Sequence, residues 1–117
     1  MDLQLSARDG RACTVVKVGG EMDMATSPQL DDFLQQVTDG GAVQVVLDLG
    51  DVSFLDSSGV GVVMVWFKEL DGRGGRLCVA AVQDIVAFVL RVAVVDQVLD
   101  VYDTVEAAEA GMPPLTA

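Results

Sequence analysis

The residues best placed to do chemistry in this chain are consecutive: Asp56-Ser57-Ser58-Gly59. An apolar run from Val43 to Leu49 reads as a buried strand ending near Gly50. A short connector, DVSFL, follows it, and a helical pattern then runs from about Ser57 to Leu70. Two hydroxyls thus stand at or beside a helix N-terminus, where the first backbone N–H groups lack intrahelical partners and the dipole favours negative charge. A phosphoryl group on either serine would meet backbone suited to an anion. The same serines also read as a plain N-cap that satisfies those amides without modification. Ser57 is expected to be that cap, which leaves Ser58 as the free hydroxyl.

Catalytic readings fail for want of parts. The chain has no histidine, so a Ser-His-Asp triad cannot form, and the serines lack the G-x-S-x-G elbow of a hydrolase. A serine–lysine pair could draw only on Lys17 or Lys68, and no spacing brings either to the serines. Gly72-Arg73-Gly74-Gly75 is glycine-rich, but it ends a helix and precedes a strand, the reverse of a phosphate-binding loop. Asp48, near a strand end, resembles the acceptor of a response-regulator receiver. That fold also needs an early acidic pair and a late lysine, and no lysine follows Lys68. Cys13 and Cys78 sit inside β-like runs and read as small buried hydrophobes; without histidine they cannot build the usual zinc site. The chain is therefore expected to be a non-enzyme without a cofactor or metal, and the serines a site of modification.

The elements that position those serines alternate between strand and helix. Leu3 to Ala7 and Cys13 to Val18 read as two strands joined by a turn at Asp9-Gly10, with Gly19-Gly20 ending the second. Glu21-Met22-Asp23 opens a loop. A helix starts near Thr26 or Ser27, either with a Thr26/Gln29 capping box or with Ser27 as cap before Pro28. Leu30, Phe33, Leu34 and Val37 form its apolar face, and Asp39-Gly40-Gly41 stops it. After the second helix come a strand over Arg76 to Val82 and a helix over Gln83 to Val92 with Ile85, Phe88 and Val89 inward. A short strand near Val98 to Tyr102 and a last helix capped by Thr104 complete the order. This is an α/β domain with an antiparallel opening, expected over residues 1–111, followed by a loose tail over 112–117.

Composition narrows the partners. Eighteen acidic against seven basic residues leave a net charge of −11, which opposes direct contact with nucleic acid or anionic membrane. No apolar run approaches membrane-spanning length and no signal peptide is visible, so a cytoplasmic location is expected. Along the helix after Ser58, Val60, Val63, Met64 and Phe67 share a face suited to the core. Ser58, Val62, Val65, Trp66 and Glu69 fall on the other side, giving a stripe with the chain's one tryptophan, the composition of a protein-binding patch. The spacing equally allows that side to pack on another element and make Trp66 core. An exposed stripe could also serve a homodimer. Gly59 and Gly61 would let another backbone, or a nucleotide phosphate, approach the helix start.

At these residues the chain resembles the bacterial anti-sigma factor antagonists of the STAS domain family. The resemblance runs nearly end to end: Gly20-Glu21-Met22-Asp23, then VVLDLGDVSFLDSSGVGV, then GGRLCVA. It implies a mixed β-sheet of four to five strands with about four helices mainly on one face. It also implies a partner switch, in which a GHKL-type anti-sigma factor serine kinase phosphorylates the serine before the glycine, here Ser58. The unmodified form binds the kinase and frees the sigma factor, and a phosphatase resets the phosphorylated form. The implied contact surface includes the loop carrying Asp23 and the helix beginning at the acceptor. With the helical stripe, the expected partner-facing set is Asp23, Asp56, Ser57, Ser58, Gly59, Val62 and Trp66. The competing expectation is a STAS interaction subunit that binds a protein or nucleotide with no phosphate cycle.

Overall fold

A computed structural model describes residues 2–115. Strands β1 (Gln4–Gly10) and β2 (Cys13–Met22) form the antiparallel hairpin. β3 (Gln44–Leu55), β4 (Arg76–Ala80) and β5 (Val101–Tyr102) then add in parallel, giving the order β1-β2-β3-β4-β5. Helices α1 (Ser27–Asp39), α2 (Ser57–Gly72), α3 (Asp84–Val92) and α4 (Val105–Ala110) follow in the expected alternation.

β3 is covered on both faces, as the scarcity of polar interruptions between Val43 and Leu49 requires: Val45, Val46 and Leu47 are fully buried. Its alternation divides the core. Val45 and Leu47 join Val16, Val18, Leu30, Leu34, Val63, Leu70, Val86 and Leu90 under α1, α2 and α3. Val46 points the other way, to Cys13, Val15, Cys78, Ala108 of α4 and Met112. Three helices therefore pack on one face and the short α4 on the other.

Several boundaries differ from the sequence reading. The hairpin turn lies at Arg11 and Ala12, because the register pairs Leu5 with Val18 and Gly10 with Cys13. Ala12 takes a left-handed φ of 60°, and the Arg11 N–H donates to Glu109 Oε1 of α4 at 2.7 Å, so a tertiary contact holds the turn there. Gly19-Gly20 does not end β2. The pairing shifts register around these glycines, and Gly20 adopts φ 110°, so the strand bends and continues to Met22. The supposed connector DVSFL is likewise strand: Gly19 pairs with Asp51, Glu21 with Phe54 and Met22 with Leu55.

α3 turns a different face inward. Val86 and Leu90 are buried, whereas Ile85 and Phe88 are 53% and 56% exposed. Asp84 and Arg91 share one side of α3 and Val86, Val89 and Leu90 lie opposite, so the full helical period selects the face that packs on the sheet, and the inward assignment of Ile85 and Phe88 is overturned. Of the tail expected over 112–117, Met112 is buried on the sheet face beside α4, and the Pro113 carbonyl accepts from Gln44 Nε2 at 3.0 Å. Residues 116–117 lie outside the described residues.

Candidate functional site

The bent ends of β2 and β3 carry two loops to one edge of the molecule. The Asp56 N–H donates to the Met22 carbonyl at 3.1 Å, which ties the start of α2 to the segment leading into α1. Asp23 and Ser58, far apart in sequence, are brought to neighbouring turns by this pairing.

Asp56 is the cap of α2. Its backbone is extended, and its Oδ1 accepts from the N–H of Ser58 at 2.8 Å and of Gly59 at 3.3 Å. Ser57 is therefore not the cap but the first helical residue, because a carboxylate one position earlier takes the amides more strongly than a hydroxyl would. Ser57 is exposed and Ser58 half-buried, and the described residues offer neither hydroxyl a hydrogen bond. Both stay chemically free. Ser58 has the more defined setting, held between its own capped amide and the buried Gly59.

Gly59 is buried and faces inward rather than toward a partner. A Cβ there would collide with Leu55 Cδ1 and lie 3.1 Å from Met22 Cβ. The close approach it permits is that of α2 to its own sheet. Gly61, in contrast, faces open space.

That approach also sets the rotation of α2. Its buried face is Gly59, Val63, Trp66 and Leu70, with Val60, Met64 and Phe67 only partly covered. Trp66 is 4% exposed, and its indole Nε1 donates to Asp31 Oδ1 of α1 at 2.7 Å. The expected exposed tryptophan stripe is thus overturned. A residue small enough to touch the strands at position 59 phases the helix so that Trp66 meets α1, where an acceptor satisfies its N–H. Val62 is half-buried and Val65 exposed.

Asp23 organises its own loop. Its Oδ1 accepts from the N–H of Ala25 at 2.9 Å, the N–H of Thr26 at 3.0 Å and Thr26 Oγ1 at 3.2 Å. The bond from the Thr26 amide, with those from its hydroxyl and from Ala25, holds the Asp23 carboxyl below its ordinary pKa. α1 starts where the sequence places it, with Thr26 at the N-cap position and Pro28 in the first turn, but the capping box does not form: Thr26 Oγ1 donates to the Glu21 carbonyl, and Gln29 Oε1 accepts from the Leu3 N–H at 2.8 Å. The locked loop leaves Met24 79% exposed.

Two surface features flank the serines. An apolar groove of about 230 Å³ lies between α2 and α3, lined by Ser57, Val60, Phe88, Val89, Val92 and Ala93. The sequence reading missed this because it turned Phe88 inward. The signal that could have found it is the Asp84/Arg91 pair on one side of α3, which marks the outward face and sets Phe88 beside it. A wider depression of about 440 Å³ on the side of Asp23 is lined by Asp2, Gln4, Gly20, Glu21, Asp23, Thr26 and Ser53. Its three carboxylates and lack of Lys or Arg make it a poor host for a nucleotide phosphate.

Comparison with known proteins matches this geometry. The profile of the STAS domain family covers residues 4–108. An anti-sigma F factor antagonist of Paenibacillus polymyxa is 30% identical over 107 residues, 88% of this chain and 89% of that protein. The crystal structure of an anti-sigma factor antagonist from Mycobacterium paratuberculosis superposes with a TM-score of 0.85 at 25% identity, covering 94% of this chain and 93% of that one. The anti-sigma factor antagonist SpoIIAA in its unphosphorylated form gives a TM-score of 0.74 at 26% identity over 91% of each chain.

Proposed function

The chain belongs to the STAS domain family, and from that premise we propose that it is an anti-sigma factor antagonist switched by phosphorylation of Ser58. The observation that carries this reading is a free, half-buried hydroxyl at the second position of α2, next to an apolar groove lined by Ser57, Val60 and Phe88. A groove of that kind suits a protein partner. The unmodified protein binds a cognate anti-sigma factor through this face and so frees the sigma factor. Because Gly59 and Trp66 are buried, the contact surface is Ser57, Ser58, Val62, the Asp23 loop with Met24, and the exposed side chains of α3.

The anti-sigma factor is a serine kinase of GHKL type. Ser58 Oγ attacks the γ-phosphorus of ATP, ADP leaves, and the hydroxyl proton passes to a base on the kinase. A phosphatase adds water across the phosphoester, returning serine and inorganic phosphate. The modification adds about −1.5 to −2 charges to a chain already at −11. Charge placed in a closed apolar contact opposes rebinding without any change of fold.

Incubation with the cognate kinase and ATP, followed by mass spectrometry, tests this. Phosphate is expected on the wild type and on Ser57→Ala, and none on Ser58→Ala. Incorporation that survives Ser58→Ala, or no incorporation with any kinase encoded nearby, sinks the assignment. In the second case binding without a phosphate cycle becomes the better account.

A further inference from the structure

With Ser58 taken as the acceptor, the fate of its phosphoryl group depends on the amides nearest to it. At an open helix N-terminus those N–H groups would take up a phosphate. Here the two nearest, those of Ser58 and Gly59, are already filled, and among the described residues the Ser57 N–H is the one left open. Asp56 Oδ1 accepts from Ser58 N at 2.8 Å and from Gly59 N at 3.3 Å. Gly59 cannot shift to make room, being packed on Leu55 and Met22. Asp56 is held from behind by its own N–H bond to the Met22 carbonyl.

The neighbouring elements supply no substitute. The Asp23 carboxylate is committed to Ala25 and Thr26, and the depression beyond it adds Asp2 and Glu21. α3 presents Phe88, Val89 and Val92, with its cap residue Ala93, toward Ser57, and its Arg91 guanidinium lies over the Phe88 ring, 5.8 Å from the centroid. Among the described residues, Arg91 is the one cation of α3.

We infer that Asp56 is the positioning residue of the switch: by filling the Ser58 and Gly59 amides it denies the phosphoryl group on Ser58 that pair of donors and keeps it a solvent-facing, poorly compensated charge. A helix that neutralised its own phosphate would report phosphorylation weakly. This one reports it at nearly full charge, and the added carboxylate reinforces the repulsion.

The test uses full-length protein with phosphoserine installed at position 58 during translation, so that no kinase is required. Failure of a kinase to modify Ser58 would sink the acceptor assignment and leave this measurement unaffected. Amide resonances are followed by ¹H–¹⁵N NMR and the phosphate by ³¹P NMR across pH. In the wild type, the Ser58 and Gly59 amides should stay near their unmodified positions through the phosphate titration. The phosphate's second pKa should lie above its ordinary value of about 6. In Asp56→Ala both amides should move downfield as the phosphate takes them. Its pKa should fall by roughly half a unit or more, the effect of removing one unit charge about 5 Å away in water. Asp56→Ser keeps a neutral cap and guards against a folding failure of the alanine variant: its pKa should fall while its amides stay put. Arg91→Gln should leave the wild-type pKa unchanged. Wild-type amides that move downfield with the phosphate, or a pKa equal in wild type and Asp56→Ser, would overturn the inference, as would a dependence on Arg91.

Discussion

Two glycines two residues apart in α2 should respond to the same substitution with opposite signs. Gly→Ala inside a helix gains about 1 kcal/mol of intrinsic propensity at either position. At Gly61 nothing lies within 4 Å of the added methyl, so the gain is unopposed, and Gly61→Ala should stabilise by about 0.5–1 kcal/mol. At Gly59 the methyl meets Leu55 Cδ1 and comes within 3.1 Å of Met22 Cβ and 3.3 Å of Met22 Cε. Leu55 and Met22 are themselves buried and have nowhere to go. Overpacking of this sort costs about 2–3 kcal/mol, which exceeds the propensity gain and leaves Gly59→Ala destabilised by about 1–2 kcal/mol. Urea unfolding read by the fluorescence of Trp66, the sole tryptophan and a buried one, measures both. With a slope of about 1–1.5 kcal/mol per molar for a domain of this size, the two midpoints should differ by about 1 M or more. A stabilised Gly59→Ala would refute the claim that position 59 fixes the approach of α2 to the sheet. The phasing that buries Trp66 would then need another cause.

Other outcomes follow from features of the same structure. Phe88→Ser and Val92→Ser, at exposed positions lining the groove, should weaken anti-sigma factor binding tenfold or more while leaving the urea midpoint within about 0.5 kcal/mol of wild type; calorimetric titration decides, and unchanged affinity would remove the groove from the interface. Burial pushes the Cys78 thiol up to about 12, so it should resist alkylation at pH 8 in the folded protein and react only after denaturation, as followed by mass spectrometry. Glu109 is held below its ordinary pKa by its bond to Arg8 and then by the Arg11 amide. The stability it lends is present above the unfolded carboxyl pKa of about 4.3 and lost as pH falls through the folded value, so Glu109→Gln should flatten the decline in Tm below about pH 5.

How far the fold could be read from the residues depended on what set each feature. The element order was legible because turn residues and apolar periods alternate so regularly, and β3 declared its double burial through a Val and Leu run with only Gln44 and Asp48 interrupting it. The ends of β2 and β3 were not. Glycines at 19, 20 and 50 mimic strand breaks, yet here they accommodate bulges, a distinction that depends on the partner strand. The acceptor motif was visible, but the roles of its members were not. Asp56, Ser57 and the serine–glycine pair all suit a helix start, and only the hydrogen bonds of Asp56 show which one caps. Helix phase failed twice, for different reasons: α2 is apolar on most sides, so tertiary contacts choose its inner face, whereas in α3 Asp84 and Arg91 already mark the outer side and were passed over.

The binding of Asp56 to Met22 has a wider consequence. The stretch that bears the acceptor and the stretch that bears Met24 are anchored to each other through the sheet, while Met24, Phe88 and Val92 contribute little to the core. The device that records a signal is therefore separable from the surface that chooses who hears it. Duplicate copies of such a domain could change their address by altering a few side chains in solvent and keep the same chemical memory at position 58.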